Sequence, residues 1–71
     1  MEALLKQVNE DIEEITKTIK SLRYKRATTK HSSTVRNINL ELYTAESILA
    51  DLKSTKAEIE EYIKTRSEDN A

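Results

Sequence analysis

The chain has 71 residues, with 12 basic and 13 acidic side chains, 37% hydrophobic residues and a formal net charge of −1. It contains no Gly, Pro, Cys or Trp. Missing turn-formers exclude a β-sandwich or barrel, and missing cysteine excludes a disulfide framework or a thiolate zinc site. The length holds one domain. Apolar runs of two or three residues are too short for a membrane span or a secretory leader, so an intracellular location, cytoplasmic or nuclear, is the expectation.

From the start of the chain, Met1, Leu5, Val8, Ile12, Ile15, Ile19 and Leu22 recur at alternating intervals of four and three residues. This is a heptad seam, with Leu5, Ile12 and Ile19 at position a and Met1, Val8, Ile15 and Leu22 at position d. The period predicts a helix over about 2–29. Its mean of 3.5 residues implies burial against another helix with left-handed supercoiling. The intervening Glu, Asp, Lys, Asn and Thr residues suit an exposed face.

The seam then fails, because its continuation would place Arg26, Thr29, Ser33 and Arg36 in the core. A second seam runs through Val35, Ile38, Leu42, Ala45, Leu49, Leu52, Lys56, Ile59 and Ile63 in a different phase. Leu22 and Val35 are 13 residues apart, where a continued heptad requires 14. The slip falls in a stretch dense in Thr and Ser, whose side chains compete for backbone hydrogen bonds and favour caps over helix interiors. Both signals predict a turn at about 30–33, with Ser32 or Ser33 as N-cap, and a second helix over about 34–66. Thr55 and Glu58 have capping-box spacing and Lys56 interrupts the seam, but an unbroken helix with Lys56 reaching out to solvent is the preferred reading. Polar residues 67–71 are expected to fray.

The expected fold is all-α: residues 1–71 form a single module, a two-helix antiparallel coiled-coil hairpin. Leu4, Ile48 and Tyr62 flank the seams at position g, and Leu40 and Tyr43 lie farther round the second helix. They widen the apolar stripe beyond what one helix can cover, and isolated hairpins of this size are marginal. A second copy or another helical protein is therefore expected to complete a four-helix bundle. The residues expected to carry this packing and interface are Leu5, Val8, Ile12, Ile15, Ile19, Leu22, Ile38, Leu42, Ile48, Leu49, Leu52, Ile59, Tyr62 and Ile63.

Charge is unevenly spread. Residues 1–14 sum to −4, residues 15–40 to +7 with no acid, and residues 41–71 to −4. In a hairpin the basic stretch becomes the tip and both acidic segments reach the open end. Avoidance of like charge then selects an antiparallel, two-fold symmetric homodimer.

Catalysis is not expected. There is one histidine, His31, and no cysteine or Gly-rich phosphate loop. Glu10 and Glu14 share a helix face, but no Glu-x-x-His motif accompanies them. No cofactor, metal or small-molecule substrate is expected. The constellation worth weighing is Lys20, Arg23, Tyr24, Lys25, Arg26, Lys30 and Arg36, beside His31. Its cations can meet phosphates and its Tyr can stack on a base. The expected function is a structural protein–protein interaction module. The alternative is nucleic-acid or acidic-partner binding through this basic tip. A membrane-surface role is disfavoured by the lack of an apolar face bearing Trp or Phe.

Overall fold

The computed structural model describes residues 2–69, with side chains described as far as Arg66. Two helices, α1 (Glu2–Thr28) and α2 (Ser32–Asp69), pack against each other as an antiparallel hairpin. The resulting rod measures 59 × 14 × 13 Å. α2 runs without interruption through Ser54 and Thr55. Of the polar stretch expected to fray, 67–69 continue α2, while 70–71 lie outside the described residues, as does the seam residue Met1. No helix among the described residues is long and apolar enough to cross a membrane.

The turn is Thr29, Lys30 and His31, one to two residues earlier than the expected span. At the end of α1 the Thr29 amide donates to the Lys25 carbonyl at 3.0 Å. The Thr28 hydroxyl donates to the carbonyls of Tyr24 and Lys25 at 3.1 and 3.3 Å. Side chain and backbone together thus take up the Lys25 carbonyl, one of the four that a helix end otherwise leaves unpartnered. No non-glycine residue among those described has positive φ. The chain therefore reverses without the left-handed residue that ends many helices, which is how it manages without glycine. The His31 carbonyl accepts from the Val35 amide at 2.9 Å. His31 therefore takes the N-cap position, and Ser32 and Ser33 fall in the first turn of α2, where amides have no intrahelical acceptor and short polar side chains are well tolerated.

Burial follows the two seams. Val8, Ile19 and Leu22 of α1 are buried against Ile38, Leu42, Ala45 and Ile59 of α2. Leu5, Ile12, Ile15, Val35, Leu49, Leu52 and Ile63 are half-buried. The core cluster Ile19, Leu22, Ile38, Leu42 and Ala45 lies toward the turn, with Ile15 and Leu49 packed against it. Ala45 is the small residue at this crossing, and a small side chain lets two helix backbones approach closely. Lys56 keeps its seam position half-buried, which a lysine tolerates because its aliphatic stem can be covered while its charge stays in water. Among the described residues no polar side chain is buried, and no large side chain is fully enclosed. The core is one interface thick, as a two-helix fold dictates.

Candidate functional site

The antiparallel register gives the rod two long edges of different chemistry. One edge is polar. There the Arg23 Nη2 group donates to Glu46 Oε1 at 3.2 Å, and Arg26 Nη1 donates to Asn39 Oδ1 at 3.2 Å. Both contacts cross between helices near the tip. The Arg23–Glu46 side chains are 58% and 51% exposed, so water screens the pair and it fixes register more than it stabilises.

The opposite edge carries the g positions of both helices; it bears charge at Asp11, Lys25 and Glu41 and is apolar around Ile48. A groove of about 410 Å³ runs along it, lined by Ile15, Thr18, Leu22, Leu40, Glu41, Thr44, Ala45 and Ile48. It continues toward the open end as a hollow of about 280 Å³ lined by Asp11, Glu14, Ile15, Thr18, Ile48 and Leu52. Leu40 is 63% exposed and Ile48 44%. Leu4 and Tyr62, at g positions farther along, are also exposed. Thr18 and Thr44 bring little unmet polarity to the groove, because their hydroxyls donate to the carbonyls of Glu14 and Leu40 at 3.2 and 3.1 Å. The Arg66 guanidinium sits 5.9 Å from the Tyr62 ring centroid and donates to its hydroxyl at 3.1 Å.

At the tip, Lys20, Lys25, Lys30, Arg36 and His31 are exposed. Tyr24 is 72% exposed and lies one helical turn from Lys20 on the same face. Arg23 and Arg26 are turned to Glu46 and Asn39 instead. Arg36 joins Ser32, Ser33 and Asn37 around a hollow of about 350 Å³ at the first turn of α2, a turn that contains no acidic residue. Among the described residues no three His, Asp or Glu side chains gather as metal ligands would.

The hairpin thus uses Val8, Ile19, Leu22, Ile38, Leu42 and Ile59 for its own seam and leaves Ile48 and Tyr62 outward. Sequence reasoning did not single out Glu46 and Asn39, nor Thr18, Glu41 and Thr44. Their common signal is heptad position. Once the register is known, Glu46 and Asn39 fall at e, Thr18 and Glu41 at g, and Thr44 at the neighbouring c. Comparison with protein families, with curated proteins and with solved structures finds no match to this chain.

Proposed function

We propose that this chain is a non-catalytic helical interaction module that self-associates or docks with another helical protein to complete a bundle. The observation that supports this reading is the asymmetry of the two edges. One is closed by polar contacts between the helices, whereas the other presents a continuous apolar groove with Leu40 and Ile48 standing out of it. A contiguous exposed apolar strip with a polar surround marks an interaction surface, and an unpaired heptad flank is the form a further helix packs against.

The test is sedimentation over a range of concentrations, together with binding of an apolar fluorescent dye, for the native chain and for Ile48→Glu. Ile48 is not part of the buried core, so the variant is expected to stay helical. The native chain should either associate or bind dye along the free groove, and Ile48→Glu should abolish whichever is seen. A folded native monomer that binds no dye overturns the reading.

A second reading is supported by the tip, where Lys20, Lys25, Lys30 and Arg36 stand in solvent beside Tyr24. This cluster suits a polyanion, either nucleic acid or an acidic protein surface. It ranks second because Arg23 and Arg26 are already engaged within the hairpin. Affinity for a nucleic-acid probe falling steeply with log salt, and lost on reversing Lys20, Lys25 and Lys30, supports it. Absence of binding at low salt removes it.

A further inference from the structure

We infer that the occupant of the apolar edge is a second copy of this chain, lying antiparallel across a two-fold axis that passes beside Ile48 and Thr18. This rests on the apolar edge being an interface, and it specifies partner, direction and register.

Direction follows from charge. The tip segment, residues 15–40, sums to +7, and the segments flanking it sum to −4 each. Two hairpins laid edge to edge in the same direction stack one basic tip on the other along their length. Reversed, each basic tip lies beside the acidic open end of its neighbour. Like-charge juxtaposition discriminates strongly between arrangements that bury the same apolar surface. The pattern is complementary to itself, which is what an isologous contact between two copies requires.

Register follows from geometry. Ile48 is 17 residues beyond His31, about 26 Å along the helix at ~1.5 Å per residue. That is close to the middle of the 59 Å rod. An axis at this point overlaps the two rods along most of their length and lays α1 beside the second copy's α1 and α2 beside its α2. The edge residues then pair about one centre. Asp11 and Lys25 both occupy g and stand seven residues either side of Thr18. Each Asp11 therefore meets Lys25 of the second copy, giving two symmetric ion pairs at the rim of the groove. Leu52 and Thr44 stand four residues either side of Ile48, so each Leu52 meets the second copy's Thr44, while the two Ile48 side chains meet on the axis. The carboxylate of Asp11, which lines the open-end hollow, thereby gains a cation just where association would dehydrate it.

The chain has no cysteine, so single-cysteine variants report direction cleanly. Lys30→Cys marks the tip and Thr65→Cys the open end. An oxidised equimolar mixture should give a cross-linked dimer with one of each, and Lys30→Cys alone should give almost none. Separately, Asp11→Lys should weaken the dimer about tenfold, and adding Lys25→Asp should restore it. Efficient tip-to-tip cross-linking, in a dimer that Ile48→Glu still dissociates, overturns the antiparallel arrangement and leaves the apolar edge as the interface. A native chain that stays monomeric while its edge binds apolar dye overturns the second copy as occupant and leaves the edge to another protein. A dimer indifferent to Ile48→Glu overturns both.

Discussion

Leu42 and Leu40 are two residues apart on the same helix, and the fold gives them opposite fates. Leu42 is 3% exposed, enclosed by Ile19, Leu22, Ile38 and Ala45, whereas Leu40 is 63% exposed on the rim of the groove. Replacing either by Ala removes the same three carbons and leaves helix propensity almost unchanged, so the difference between the variants isolates burial. For Leu42→Ala, three buried carbons at ~0.8 kcal/mol each give a transfer loss of about 2.4 kcal/mol. The cavity left behind raises this to about 3 kcal/mol. In a domain of this size that lowers the melting temperature by at least about 12 °C. For Leu40→Ala in the monomer, the cost should stay within about 0.5 kcal/mol. Thermal and urea unfolding followed by circular dichroism, repeated at several protein concentrations, separates the two effects. Leu42→Ala should be destabilising at every concentration, whereas any cost of Leu40→Ala should grow with concentration as association becomes part of folding. If Leu40→Ala costs as much as Leu42→Ala in the most dilute samples, the orientation of α2 described here is wrong.

Other outcomes follow from the same contacts. Arg23→Ala or Glu46→Ala should cost less than about 1 kcal/mol, with a double-mutant coupling that shrinks in high salt, because the pair is more than half exposed. A coupling above that, insensitive to salt, would contradict the assignment of this edge as solvent-facing. Lys56→Leu should stabilise the hairpin by about 1 kcal/mol, since a half-buried seam position gains apolar contact and Lys56 makes no ion pair among the described residues; unchanged or lower stability in a urea titration would refute this. Reversing Lys20, Lys25 and Lys30 should leave the helical content of the hairpin intact, because none of the three is buried. Loss of the far-ultraviolet helical signal in that variant would show that the tip contributes to the fold itself.

The seams were legible because burial against one neighbour imposes a 3.5-residue period that no surface requirement disguises. Val8, Ile19, Leu22, Ile38 and Leu42 could be read off their spacing alone, and the 13-residue gap from Leu22 to Val35 located the reversal. The turn's boundaries were less legible. Serine is a preferred helix cap and histidine is not, yet the Val35 amide meets the His31 carbonyl, which sets the cap one residue before Ser32. Ser32 read as a cap because serine is among the residues most favoured there, but it is the first residue of α2 itself. The apolar edge was partly legible, since Leu4, Ile48 and Tyr62 flank the seams at g; which side chains face each other across either edge was not, because that depends on how far one helix slides past the other. A shift of a single turn residue would pair Arg23 with a different side chain and redistribute Leu40, Thr44 and Ile48 relative to Ile15 and Leu22. The charge segregation was visible in the sequence, but its relation to a particular apolar edge needed the register.

Every statement about edges, groove and tip requires that the chain reverse at Thr29–His31. The most direct measurement is the distance between labels on Ala3→Cys and Lys64→Cys in one molecule, diluted into unlabelled chain so that only intramolecular pairs report. Antiparallel helices about 8–10 Å apart bring these positions, labels included, to within about 20 Å. An uninterrupted helix from α1 into α2 would hold them about 90 Å apart at 1.5 Å per residue, and a distance in that range would contradict the hairpin and everything built on it.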